Sequence, residues 1–444
     1  MNRFAGLRDF LLIWLGQLTS GIGSRLSSFA LGIWVLKTTG STTQFALIFV
    51  SMAVPALLIA PFAGALVDRW DRRITMLVCD LVSATMQLAM ALLLMQGQLA
   101  VWHLYIGVGI TALASAFHAP AYAASIPLLA SREQLTRVNG LVQMGYAVAQ
   151  VAGPLLAGVL VSVISLHGVL LVDALTFLAA VAALLAARVP RPPRSEQQES
   201  VLKEAATGWR YVRERDGLLG LLMVFGASNF LFAIASIAIT PLVLSMADPA
   251  RLGVQMAVGG AGLLLGGMAI AATGGLKRRV HGVLGFSLLA GLALAAHGLA
   301  PSFALVTAAG FVFFLALPAI SASNDSVWQS KVPPNLQGRC FAIQRVLAEA
   351  AMPVGYCLAG PLAERVFEPL LARGGALAGS VGAVIGVGAG RGLGLMFIVL
   401  GLAMSLVALA AFSVPAIRRV DQLPDAFGTE DEKAVEARAE LKQA

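Results

Sequence analysis

Long, uninterrupted apolar runs recur along this chain, and they decide what it can fold into. A run of about 20 such residues is as long as a helix crossing the roughly 30 Å hydrocarbon layer of a bilayer. Twelve runs of that kind are present, at roughly 10–36, 43–67, 74–95, 102–126, 139–163, 166–187, 217–245, 252–275, 281–299, 302–325, 341–363 and 392–414. Strands of a membrane barrel alternate polarity over about ten residues, and these runs are longer and continuously apolar. Hydrophobic residues make up 58% of the chain and charged residues 12%, against about 25% charged in an average soluble domain, so lipid must be the solvent for much of it. The expected fold is all-α, a polytopic membrane protein of twelve transmembrane helices.

The charges that remain fix an expected orientation. With the N-terminus in the cytoplasm, the segments on that side hold 24 of the 31 Lys and Arg, and the opposite loops hold five: Lys37, Arg251, Arg365, Arg373 and Arg391. The net charge of +8 is thus a topology signal, and no basic module for nucleic acid accompanies it. Both termini are expected in the cytoplasm. No cleavable signal peptide is expected, because the first apolar run is long and lacks an A-x-A-type site. Cys79, Cys340 and Cys357 sit in or beside apolar runs at spacings that suit neither a zinc site nor a disulfide framework.

Internal similarity divides the chain. At an offset of 207, Gly153-Pro154 falls on Gly360-Pro361, Pro127 on Pro334, Arg132 on Arg339, and Arg72 on Arg279. The expected division is a six-helix bundle over 1–190, a cytoplasmic linker over 191–216, a second six-helix bundle over 217–416 and a cytoplasmic tail over 417–444. Within the linker region, Val201, Ala205, Trp209 and Val212 share one helical face, which fits either a helix lying on the membrane surface or a solvated linker helix. Two six-helix pseudo-repeats that start on the same side suit a rocking bundle with its site between the halves.

One loop concentrates charge. In "GALVDRWDRR", spanning Gly64 to Arg73, five of the six residues from Asp68 onward are charged. Arg69, Arg72 and Arg73 can fork to carboxylates or to exposed helix-end carbonyls, latching one half to the other, or can simply anchor the loop on the positive side. Asp80, seven residues beyond Arg73 on the same face, is expected to partner that latch.

The match at Gly64, Asp68, Arg69, Arg72 and Arg73 resembles the loop motif of the major facilitator superfamily. The stretches "FLLIWLGQLTSGIGS", "KTTGS", "SAFHAPAYAASIPLLASREQL" and "LQGRCFAI" narrow the likeness to its macrolide-efflux and siderophore-exporter branch, over about residues 4–420. That resemblance implies export of a bulky organic molecule across a bacterial inner membrane, driven by proton exchange. The chain departs from the drug antiporters at Thr111, where they often carry an arginine, and its second loop copy "GGLKRRV" lacks the aspartate. The fifth-span glycine series survives in part as Gly145, Gly153-Pro154 and Gly158.

Polar groups inside the spans point inward, since a stripe facing lipid is costly. The first span carries Gln17, Ser20, Ser24, Arg25 and Ser28 on one face, and the fifth carries Asn139, Gln143, Tyr146 and Gln150. The eleventh carries Arg345, Glu349 and Tyr356, near-equivalents of the fifth-span set under the 207 offset. Gln17, Arg25, Asn139, Gln143, Gln150, Asn229, Asn324, Arg345 and Tyr356 are the expected cavity residues, set against the alternative that Gln and Ser only pack helices together. Asp173, Glu349 and Asp325 are the candidate proton carriers, although Glu349 can instead neutralise Arg345 at i, i+4. His118 and His297 read more simply as helix-packing residues.

No nucleophile–base pair, metal cluster or phosphate-binding loop of the G-x-x-x-x-G-K-[ST] kind occurs, so no enzyme activity, metal or cofactor is expected. The expected function is a monomeric secondary exporter of a macrolide-like, siderophore or peptide molecule by alternating access and proton antiport. A lysolipid or lipid flippase, or a non-transporting membrane receptor or scaffold, is the alternative.

Overall fold

The computed structural model describes residues 3–67, 69–130, 134–190, 209–273, 276 and 278–422. All regular structure among them is helical. The first six long helices are α1 (Arg3–Thr39), α2 (Thr42–Val67), α3 (Arg72–Met95), α4 (Val101–Leu129), α5 (Leu135–Val163) and α6 (Ser165–Ala186). The next four are α7 (Asp216–Leu244), α8 (Pro249–Thr273), α9 (Arg279–Ala296) and α10 (Phe303–Lys331). The eleventh crossing is segmented into α11 (Pro334–Ala350), α12 (Met352–Pro361), a π-helical turn (Leu362–Phe367) and α13 (Glu368–Leu371). A short α14 (Val381–Ile385) precedes the last crossing, α15 (Arg391–Ser413), and α16 (Pro415–Arg418) follows it.

Eleven of the crossings are long and apolar enough for a membrane by length and composition alone. The twelfth is α1, whose 37 residues at 1.5 Å each exceed any bilayer core. Its stripe of Gln17, Ser20, Ser24, Arg25 and Ser28 dilutes its apolar character. Expected ends move in three crossings, and α1 begins at Arg3 rather than near 10. Helix α10 continues past residue 325 to Lys331, and the eleventh crossing runs from Pro334 to Leu371 rather than from 341 to 363. The added turns mix polar with apolar residues, which takes them out of the apolar window while the chain stays helical.

The turns follow from local chemistry. Asp71 Oδ1 accepts from the Arg73 and Ile74 amides at 3.0 and 3.2 Å and so caps α3. Gly97, at φ +69°, closes the same helix with a Schellman pair: Gly97 N donates to Leu94 O at 3.0 Å and Gln98 N to Leu93 O at 2.8 Å. The second loop copy lacks a local aspartate, and Asp421 from beyond α16 supplies the carboxylate to the Val280 amide, 3.1 Å from Oδ2. Residues 209–213 are helical with Val212 fully buried. Most of the expected amphipathic helix and linker, over 191–208, lies outside the described residues, as does the tail over 423–444.

Helices α1–α6 pack among themselves, with α1 on α5 and α6, α2 on α4, and α3 on α4 and α6. The others do likewise, with α7 on α12 and α15, α8 on α10, and α9 on α10 and α15. The duplicated arginines do equivalent work. Arg72 Nη1 donates to the Ala124 carbonyl of α4 at 2.7 Å, and Arg279 Nη1 donates to Ser330 Oγ of α10 at 2.6 Å.

Buried side chains show how the two bundles meet. At the end of the molecule where α1 begins, the near end, each bundle has its own core: Phe10, Met76, Tyr122 and Leu184 in one, Leu221, Val283, Trp328 and Ile417 in the other. At the far end a single core joins them, with Leu31, Phe45 and Leu170 packed in one cluster with Ile237, Leu252, Phe313 and Phe397. The bundles are therefore fused at the far end and parted at the near end.

Candidate functional site

Two helix pairs make the far-end seam, α5 with α8 and α2 with α12. The first is built on glycines. A Cβ at Gly253 would lie 2.6 Å from the Pro154 carbonyl oxygen, one at Gly158 would lie 3.2 Å from Ala250 Cα, and one at Gly260 would lie 2.8 Å from Val151 Cγ2. Nearer the other end the same helices diverge, and a Cβ at Gly140 or Gly267 would meet nothing within 4 Å. The second pair repeats the device, since a Cβ at Gly360 would overlap Thr43 Cα. Here a carboxylate is added. Glu364 Oε1 accepts from Ser41 Oγ at 2.9 Å and from the Thr43 amide at 3.0 Å, and Oε2 accepts from Thr43 Oγ1 at 2.7 Å. A side chain of one bundle thus caps the N-terminus of a helix in the other, where free amides and the helix dipole favour negative charge. Glu364 lies in the π-helical turn, and Glu368 beyond it caps α15 through the Leu393 amide at 2.9 Å.

Directly under this seam lies a cavity of about 310 Å³ between the bundles. Helices α1, α2, α5, α7, α8, α9, α10 and α15 contribute to its wall. Seven phenylalanines, with Leu and Met, make most of it apolar. The polar groups are few: Arg25, Ser28 and Gln150 from the first bundle, and Ser236, Thr240, Gln255 and His297 from the second. Arg25 is the one charged residue among those lining it. Its stem crosses α5 at Gly153, where a Cβ would overlap Arg25 Cβ. His297 Nδ1 lies 2.9 Å from the Ala293 carbonyl, and its ring stacks on Phe397 with centroids 5.2 Å apart.

Of the expected cavity residues, Arg25 and Gln150 line this space. Tyr356 is buried beside it, its ring 5.6 Å from that of Phe49 across the α2–α12 seam. Asn139, Gln143, Arg345 and Glu349 lie exposed on the near halves of α5 and α11. Gln17, Asn229 and Asn324 are elsewhere. Gln17 Nε2 donates to Asp80 Oδ2 at 3.0 Å, and Asn229 Nδ2 donates to the Ala348 carbonyl at 2.9 Å, tying α7 to α11. Asn324 is buried within α10.

The charged loop binds differently from the expectation in one respect. Arg73 Nε and Nη2 donate to the Leu184 and Leu185 carbonyls at 2.8 and 2.7 Å, the free carbonyl end of α6. Together with the bond of Arg72 to α4, these contacts hold helices of the same bundle. Arg69 is exposed; Asp68 and the side of Gly64 lie outside the described residues. Asp80 does not pair with the arginines. It takes Gln17 from α1 and His118 from α4, with His118 Nε2 3.4 Å from Oδ1. Spacing along α3 correctly gives the shared face, but the arginine forks are drawn to helix-end carbonyls near the loop, two turns away.

The candidate acids separate by environment. Asp173 in α6 is completely buried and faces α1, where a Cβ at Gly23 would come within 2.7 Å of Oδ1. Thr176 Oγ1, 3.4 Å from Oδ1, and Ser27 are its polar neighbours. Glu349 is paired with Arg345 at 3.2 Å, and Asp325 is exposed near the end of α10.

The Major Facilitator Superfamily model matches residues 13–356. The chain belongs to that superfamily. Macrolide efflux protein A of Streptococcus pyogenes is 28% identical over 367 residues, covering 80% of this chain and 90% of the relative. Multidrug efflux pump Tap of Mycolicibacterium fortuitum is 25% identical over 420 residues, 93% of this chain and 97% of Tap. Among solved structures, a bacterial homolog of the human lysosomal transporter Spinster, inward-facing and unoccupied, superposes with a TM-score of 0.70 at 16% identity, covering 95% of this chain and 98% of that one. These relatives are transporters, not enzymes. Within this superfamily member, sequence reasoning passed over Glu364, Gln255 and the wall position of His297. Glu364 left a usable trace: under the 207 offset it stands where the first half has Ala157, a charge gained inside a repeat.

Proposed function

We propose that this chain is a secondary exporter that moves a bulky amphipathic organic molecule out of a bacterial cytoplasm by alternating access. One observation carries the reading: the bundles share a core at the far end only, with an aromatic cavity immediately beneath it. Such a cavity is loaded from the near end and emptied only after the far-end seam parts. The proposed orientation puts the near end and both termini in the cytoplasm of the inner membrane, in keeping with the Lys and Arg bias. The proposed functional units are the two bundles, 1–190 and 217–416, joined by the 191–216 linker, acting as one monomer. The efflux names borne by the relatives support a drug-like cargo such as a macrolide.

Export against a gradient needs an energy source, and proton antiport is proposed. A proton moved inward gains about 2.3 kcal/mol per 100 mV. Asp173 is the carrier proposed here, because its carboxyl is fully buried at membrane depth and borders the cavity helix α1. Inverted vesicles holding the protein, energised and offered erythromycin and a panel of siderophores and peptides, test the proposal. Uncoupler-sensitive accumulation is the expected result. No accumulation of any compound would remove the exporter reading, and uncoupler-insensitive accumulation would remove the proton.

A further inference from the structure

We propose that the cavity selects an organic anion, an apolar or aromatic body bearing a carboxylate or phosphate-like group, and that Arg25 binds that group. The proposal rests on the exporter reading and narrows its cargo. Arg25 is the one cation in the wall, and no carboxylate lines it. The guanidinium has no hydrogen-bond or ion-pair partner among the described residues. Arg25 is exposed to the space between the bundles rather than buried, so its charge is open to a ligand entering that space; an ionisable group inside a span marks such a cavity. No described acid pairs with it. Asp80 is held by Gln17 and His118, Glu349 is paired with Arg345, and Asp173 is turned into the α1–α6 interface.

Geometry keeps the guanidinium aimed at the cavity. Gly153 lacks the Cβ that would displace the Arg25 stem, so α1 and α5 hold the side chain across their contact. The planar fork offers paired N–H donors matched to two oxygens of a carboxylate or phosphate. Gln255, in the opposite bundle, is 3% exposed and its Oε1 has no partner, giving the second wall an acceptor suited to a hydroxyl or N–H on the cargo's body rather than to its anionic group. Between the two walls the phenylalanines offer a flat apolar surface for a hydrocarbon or ring system. A protonated amine would meet a like charge and no counter-ion in this wall, so the cavity favours an anionic cargo over an amine-bearing macrolide such as erythromycin, whose transport would test the exporter reading but not this preference.

The test uses one body with three heads: 4-(1-pyrenyl)butanoate, its primary amide, and 4-(1-pyrenyl)butylamine. Binding to the purified full-length protein is read by fluorescence anisotropy, and uptake is read in proteoliposomes. The butanoate should bind at least tenfold more tightly than the amide, and the amine more weakly than both. Arg25→Gln should remove the tenfold preference by weakening the butanoate far more than the amide, and an unchanged melting midpoint in detergent shows that the variant is folded. Arg25→Lys should keep part of it. Equal binding of all three probes, preference for the amine, or an equal loss for butanoate and amide in Arg25→Gln would overturn the proposal. The exporter reading fails separately: proteoliposomes that move neither the probes nor erythromycin would remove it while leaving the binding preference intact.

Discussion

Replacing Glu364 should loosen the far-end seam by a predictable amount. Its carboxylate accepts three hydrogen bonds from Ser41 and Thr43 across the bundles. A bond to a charged acceptor contributes about 1.5–3 kcal/mol when buried, but Glu364 is only partly buried, and water competes for it. Taking somewhat under 1 kcal/mol for each bond, Glu364→Ala removes about 2 kcal/mol from the far-closed state, a factor of roughly 30. A far-open form present at about 1% would then rise to about a quarter of molecules. The assay is a single cysteine at Ser236 in the cavity wall, in protein whose Cys79, Cys340 and Cys357 are serine. A membrane-impermeant maleimide is added on the side opposite the N-terminus. Its reaction rate should rise by an order of magnitude or more in Glu364→Ala, and Glu364→Gln, which keeps one acceptor oxygen, should fall between. An unchanged rate in a variant that still inserts and melts normally would refute the reasoning.

Gly360→Ala places a methyl group against the Thr43 backbone and should cost the closed seam about 1–3 kcal/mol, read by the same labelling; Gly379→Ala, with open space around it, should do nothing. Arg73→Ala loses two bonds to the end of α6 and should lower the melting midpoint in detergent by roughly a few degrees, whereas exposed Arg69→Ala should leave it nearly unchanged. Asp173→Asn should abolish uncoupler-sensitive accumulation yet preserve exchange of labelled for unlabelled cargo; retention of driven accumulation would eliminate Asp173 as the carrier.

The membrane fold was legible because each crossing is set by about 20 apolar residues, a property of local sequence. Arg25 was equally legible, since one charge in such a run stands out and must face protein or water. The phenylalanine wall was not. Phe45 and Phe313 look the same whether they face lipid, core or cavity, and only the packing of α2 and α10 around the central space tells them apart. For Asp80, helical spacing gave the face but not the partner, because Gln17 and His118 approach from helices 63 and 38 residues away in sequence. Glu364 depended on a π-helical turn, whose extra residue rotates the helix end and which no apolar period announces.

The duplication explains why one residue can carry so much of the seam. Both far-end pairs use a similar joint, a glycine on the fifth or eleventh crossing meeting the start of the eighth or second, Gly158 against Ala250 and Gly360 against Thr43, although under the 207 offset Gly360 answers to Gly153, which meets Arg25. Lipid is as apolar as these helix faces, so such joints gain close dispersion contact but little hydrophobic drive, and each alone is weak. The α5–α8 joint stops there. At the α2–α12 joint the residue equivalent to Ala157 is Glu364, and its carboxylate adds directional bonds to the capped helix end. The two halves therefore meet through one joint held by packing and one held by charge. The proposed rocking motion would break both, and at the charged one water entering the parted seam would take over the same three bonds. On the proposed alternating-access reading, that exchange lowers the cost of opening the charged joint.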